Sequence, residues 1–204
     1  MTYLRMLSFA TAILLGGLSG VSACTNTNVL AAATDPGFAL RAEVTKSGPN
    51  QYNLAPQTDH LSLQPLLTTS THPAGLCADV LMLTTADPND SGVGVIFWGN
   101  QPTDDDYYFF EIYGDQYRLV HILYSKWYIL LQPTKSAAIK AGLNQTNELE
   151  VRFTGTGADL WINGSKVNQI VAHPSDTSQV YGAFGESPKK GLATMQVKSL
   201  QLLK

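Results

Sequence analysis

The stretch ELEVRFTGTGADLWINGSKV, Glu148 to Val167, decides the fold. Leu149, Val151 and Phe153 alternate with Glu148, Glu150, Arg152 and Thr154, the period of two of a half-buried strand. Gly155-Thr156-Gly157 then turns the chain, and Ala158 to Ile162 is the returning strand. Asn163-Gly164 follows directly. Both residue types tolerate the positive φ angles of a two-residue hairpin, so Leu160-Trp161-Ile162 turns at once into Lys166-Val167. Three antiparallel strands within twenty residues announce an all-β protein.

The same grammar extends in both directions. Phe38, Leu40, Ala42 and Val44 alternate with Ala39, Arg41, Glu43 and Thr45. His60–Leu67 is a second strand, interrupted by Pro65, and Cys77–Thr84 a third. Ala86 to Gly92 is a turn by composition. Gly94–Gly99 is apolar on both faces, as a central strand of a sandwich is. Tyr107–Tyr113 and Tyr117–Tyr124 form a hairpin around Gly114-Asp115, and Trp127–Leu131 comes next. Ser136–Ala141, closed by Gly142, is the one helical hint. Val180–Phe184 and Met195–Leu203 complete some ten to thirteen strands. This spacing implies a two-sheet antiparallel jelly-roll sandwich.

Composition agrees. Charged residues make up 14% of the 204, below the roughly 25% of an ordinary domain, and Glu and Lys number only 5 and 9. With 44% hydrophobic residues the chain is not a disordered tail. A net charge of −3 excludes a general nucleic-acid binder, which needs a basic face.

Residues 1–23 read as an export signal. Arg5 precedes the uncharged run Met6–Leu18, too short to span a bilayer comfortably. Val21-Ser22-Ala23-Cys24 fits a small-residue cleavage site and also a bacterial lipobox, in which Cys24 is acylated. A third reading pairs Cys24 with Cys77, the only other cysteine. We expect a lipid-anchored Cys24, a tether over 24–35, a sandwich domain over 36–204 and an unpaired, buried Cys77. Such a protein sits outside the cytoplasm, at a bacterial cell envelope or in the periplasm, or is secreted.

The segments GVGVIFWGN (92–100), DDDYYFFEIYGDQYRLV (104–120), KWYILLQPTKSAAIKAGLNQTNELEVRFTGTGADLWINGSKV (126–167) and YGAFGES (181–187) carry a resemblance. They resemble the laminin G-like, concanavalin A-like sandwich modules of bacterial secreted proteins, and most of all the domain family named for 3-keto-disaccharide hydrolases. The resemblance implies the sandwich fold and a place among lectins, glycosidases and adhesion modules. It also implies possible Ca²⁺ binding, for which Asp104, Asp105 and Asp106 are the candidate ligands.

The chain lacks the Glu-x-Asp-x-Glu strand that glycosidases of this fold mostly use. A lone strand Glu, Glu111, is the candidate acid, with His121 as partner if the protein is an enzyme. Neither His60, His72, His121 nor His173 has metal-ligand spacing. Aromatic residues are the stronger signal, because ring faces stack on sugar C–H faces. The candidate ligand-binding set is therefore Trp98, Tyr108, Tyr113, Trp127 and Trp161, with Glu111 and Arg118 as polar contacts. The leading expectation is a non-catalytic glycan-binding or surface-interaction module. The alternatives are a hydrolase of a disaccharide or 3-keto-sugar, and a structural envelope lipoprotein.

Overall fold

The computed structural model describes residue 24 and residues 42–48, 51–59, 61–68, 73–100, 106–124, 126–173 and 180–204. In chain order the strands are β1 (Ala42–Gly48), β2 (Gln51–Pro56), β3 (Leu61–Thr68), β4 (Gly75–Thr85), β5 (Gly92–Gly99), β6 (Asp106–Tyr113) and β7 (Gln116–Leu123). They continue as β8 (Lys126–Lys135), β9 (Asn147–Thr154), β10 (Gly157–Ile162), β11 (Ser165–Val171), β12 (Val180–Glu186) and β13 (Ala193–Leu203). All pairings are antiparallel. One sheet has seven strands in the order β1-β2-β13-β4-β9-β10-β11, and the other has six in the order β3-β12-β5-β6-β7-β8. This is the two-sheet jelly-roll sandwich implied by the alternation.

The main core lies between the sheets. The seven-stranded sheet contributes Leu54, Leu76, Ala78, Leu149, Val151, Leu160 and Ile162. The other sheet contributes Val93, Val95, Phe97, Phe110, Ile112 and Leu119. Local turn chemistry acts as expected: Asn163 and Gly164 have φ of +49° and +76°, and Ile162 pairs with Ser165 across them. Ser136–Ala141 is turn and irregular chain rather than helix. It holds one turn, closed by Ile139 N–H to Ser136 O at 3.2 Å, and β9 starts only at Asn147. β2 is a strand that pattern reading did not find.

The six-stranded sheet is unusual in burying apolar residues on its outer face too. Ile96, Tyr107, Phe109, Val120, Ile122, Val180 and Phe184 form a second cluster there, with Leu61 packed against it. This is why β5 reads as apolar on both faces.

The cysteine expectation needs correcting. Cys24 and Cys77 form a disulfide, with Cα atoms 5.6 Å apart, inside the normal span for such a bond. Cys77 is buried as expected, but it is not a free thiol. Leu76 and Ala78 point into the core, so alternation turns Cys77 to the opposite side of β4, where Cys24 meets it. A sulfur engaged in a disulfide cannot also carry a lipid thioether. The signal and the remainder of the tether, residues 1–23 and 25–35, lie outside the described residues.

The bond spans 53 residues of sequence, and restricting the unfolded chain over that span contributes about 4 kcal/mol in the chain-entropy model. Intact-mass analysis of the unreduced protein should therefore give a species two hydrogens lighter than the reduced one. Cys77→Ser should lower the midpoint of urea unfolding. Equal masses, or an unchanged midpoint, would contradict the bond.

Candidate functional site

The outer face of the six-stranded sheet carries a group of ionisable side chains set among apolar residues. Alternation along β6 puts Tyr107, Phe109, Glu111 and Tyr113 on this face, and Phe110 and Ile112 on the inner one. Hairpin register sets Arg118 of β7 opposite Glu111. On the other side of β6, Gly94 of β5 faces Glu111, and Gly92 faces Glu186 of β12. Four adjacent strands thus bring Glu186, a glycine floor, Glu111 and Arg118 together.

The glycines make this possible. A Cβ at Gly92 would collide with Glu111 Oε2 and lie 3.6 Å from Glu186 Oε2. With no side chain on the floor, Glu111 lies flat over β5 and is 1% exposed. Arg118 bridges the two acids: its Nε bonds to Glu111 Oε1, and its Nη2 donates to Glu186 Oε2 at 2.8 Å. The guanidinium also lies over the Tyr113 ring, 5.2 Å from its centroid. Glu111 Oε2 and the Tyr113 hydroxyl are buried without a hydrogen-bond partner.

Electrostatics follow from this crowding. Burial pushes the Glu111 carboxyl above its ordinary value, and the Arg118 charge opposes that rise. Burial, and then the neighbouring Glu111 charge, push Glu186 up to about 8. One guanidinium faces two acids in a poorly hydrated place, so the cluster retains a proton at neutral pH.

Beside it lies a cavity of about 250 Å³, whose walls include Asn89, Asp90, Tyr113, Arg118, Trp127, Glu186 and Lys189. Trp127 stands at the start of the edge strand β8 and is 46% exposed, with Phe109 6.2 Å from its ring. Lys189 N–H donates to Asp90 Oδ2 at 2.8 Å and closes the far wall. An exposed ring next to fixed donors and acceptors can stack on an apolar face of a ligand while bonding to its hydroxyls.

The structure therefore brings together Glu111, Tyr113, Arg118 and Trp127 and separates the other candidates. Trp98 is 3% exposed and belongs to the core. Between Gly182 and Val180 the pairing of β5 with β12 slips, and Trp98 takes a φ of +51° in that irregularity, which carries its ring inward against Phe97 and Tyr108. Tyr108 lies on the inner face and stacks on His121 at 4.1 Å.

His121 pairs with Tyr108 in register, one face away from Glu111, so the Glu111–His121 acid–base pair does not form. Instead His121 Nε2 lies 2.7 Å from Asp106 Oδ1. Asp106 also accepts from Asn100 Nδ2 at 2.9 Å, and Asp104 and Asp105 lie outside the described residues. Trp161 belongs to the outer face of the other sheet. Leu160 and Ile162 are core, as reasoned, but the Arg152 guanidinium occupies the Trp161 ring at 4.1 Å, held there by Glu150. Trp161 is thus not an open stacking platform. Among the described residues the one trio spaced to hold a metal is Cys24, Cys77 and Glu148, and both its sulfurs are in the disulfide.

Sequence reasoning missed Glu186, Asp90 and Lys189. One signal was present: a lone carboxylate closing the apolar strand Val180–Phe184, two residues after Phe184 and so on its face. The alternating Gly92 and Gly94 were a second signal, of a floor left bare.

Solved structures similar to this chain share its sandwich. A carbohydrate-binding module, CBM66 from Bacillus subtilis, superposes with a TM-score of 0.57 at 9% identity, covering 78% of this chain and 89% of its own. A laminarinase from Flavobacterium sp. UMI-01 gives 0.52 at 5% identity, covering 81% and 82%. A tetrameric galectin from the sponge Cinachyrella sp. gives 0.50 at 11%, covering 71% and all of that chain. No family model matches the chain, and no curated protein does. The likeness holds at the level of the concanavalin A-like fold.

The raised carboxyl gives a test with a defined sign. Folded, Glu186 keeps its proton to about pH 8, whereas its ordinary value is 4.5. Between those values the folded state binds more protons than the unfolded one, so stability falls as pH rises through that window. Urea midpoints measured from pH 5 to pH 8 should decline in the wild type and decline less in Glu186→Gln. Parallel slopes would refute the buried acid pair.

Proposed function

We propose that this is an exported, non-catalytic glycan-binding module whose site is the Trp127 cavity on the outer face of the six-stranded sheet. The observation that carries this reading is the exposed Trp127 ring in one cavity with the Arg118–Glu186 pair. The ring offers a stacking surface. The guanidinium and carboxyl offer oriented donors and acceptors that are already fixed, so little ordering entropy opposes binding. The sandwich neighbours, which include a carbohydrate-binding module and a galectin, support glycan binding at the level of the fold. The Cys24–Cys77 disulfide supports an oxidising compartment and therefore export.

One observation favours a second reading. Glu186 keeps a proton at neutral pH, as a general acid in a glycoside hydrolase would. Against it stands Arg118. It touches both carboxyls, so the space between them that a glycosidase gives to the anomeric carbon and water is filled. Glu111 is also too deeply buried to reach a glycosidic bond.

A glycan array followed by calorimetry tests the binding reading. At least one polysaccharide should bind, and Trp127→Ala should weaken it about tenfold, the scale of one lost ring contact. Binding unaffected by that change, or no glycan retained, would sink the proposal. Sugar release that disappears in Glu186→Gln would establish the hydrolase instead.

A further inference from the structure

A second cavity, of about 220 Å³, opens at one end of the sandwich between the two sheets. Met82 of β4 forms one wall, Val93 of β5 and Ile112 of β6 form the other, and Pro88 and Leu143 stand at its ends. Val93 and Ile112 belong to the main core and Met82 packs against it, so the cavity extends the core rather than denting the surface. Its lining is mostly apolar, with Thr85, Ser91, Gln145 and Asn147 as polar members. A cleft with apolar walls and a few polar groups at its rim is the usual form of a small-molecule site.

The cavity persists because its outer wall is braced. Residues 136–147 run across the sandwich end, and the buried amide of Asn147 accepts from Lys140 N–H at 2.9 Å and donates to Lys140 O at 3.1 Å. Asn163 Nδ2 donates to Asn147 Oδ1 at 2.7 Å and to Ala138 O at 2.8 Å. Asn144 N–H is bonded to Met82 O at 2.8 Å. A loop so pinned cannot collapse inward to cover the apolar walls. The fold keeps a void that packing alone would close.

The rim carries a cation. Lys140 lines the cavity with an exposed side chain, and its ammonium forms no salt bridge among the described residues. No carboxylate lines this cavity. We propose that it is a binding site for an amphiphile with a short aliphatic chain and an anionic head, the chain between Met82, Val93 and Ile112 and the carboxylate on Lys140. This cavity adjoins the Trp127 cavity, with Ser91 and Tyr113 in both linings, but its apolar walls and Lys140 are its own, and the proposal does not depend on the glycan reading.

Methyl NMR of the full chain, titrated with octanoate and separately with octanol, tests this. Octanoate should move the methyl signals of Met82, Val93 and Ile112 and bind more tightly than octanol. Lys140→Gln, an exposed change that leaves the fold intact, should weaken octanoate about fivefold, the upper range for a solvent-accessible ion pair, and leave octanol unchanged. Leu143→Trp, which fills the mouth, should abolish both. No methyl shifts with either probe would overturn the site. Equal affinities that Lys140→Gln does not alter would overturn the anionic ligand class.

Discussion

Everything on the working face follows from one buried carboxylate. Glu111 sits almost fully out of water on an apolar sheet, a position that is costly unless a cation and hydrogen bonds compensate. Arg118 supplies both because hairpin register sets it directly across β6 and β7. Leaving such a charge unpaired costs about 3–5 kcal/mol, so Arg118 is the group this face can least spare. Space for Glu111 in turn requires glycine at 92, where any Cβ would strike its carboxyl. Glu186 then shares the same guanidinium and keeps its proton, first because it is buried and second because Glu111 lies so near. Trp127 and Lys189 only complete a cavity whose floor these four residues fix.

The other sheet solves a similar problem differently. Glu150 is also buried on an outer face, and Arg152 answers it in bidentate fashion from two residues along the same strand. Arg152 lies flat on Trp161, so cation and ring satisfy each other and leave no open platform. On the six-stranded sheet the cation over Tyr113 still reaches the cavity, and among the described residues no guanidinium lies on the large ring at Trp127. That contrast leaves an open ring on one sheet and a covered one on the other.

Local features were legible in the sequence and long-range ones were not. The Asn163-Gly164 turn, the strand alternation and the Gly114-Asp115 hairpin are set by neighbours in the chain, and the hairpin delivers the Glu111–Arg118 pair with them. Glu186 lies 68 residues from Arg118, and its arrival depends on β12 docking beside β5, which no local pattern encodes. Trp98 misled because a single positive φ at a slip in register reverses the side of a residue, and alternation assumes that no such slip occurs. The Cys24–Cys77 bond depends on how Cys24 approaches β4 in space, for which sequence spacing is no guide.

In the proposed binding mode, ligand meets this protein at Trp127 and not at its other indoles. The chain has three tryptophans: one exposed beside the acid–arginine cluster, one in the core and one beneath Arg152. Fluorine NMR of protein labelled with 5-fluorotryptophan, titrated with a glycan that binds, resolves all three at once. The Trp127 resonance should move with saturation while those of Trp98 and Trp161 hold still. A saturating shift at Trp161, or a bound glycan that leaves Trp127 unmoved, would contradict it.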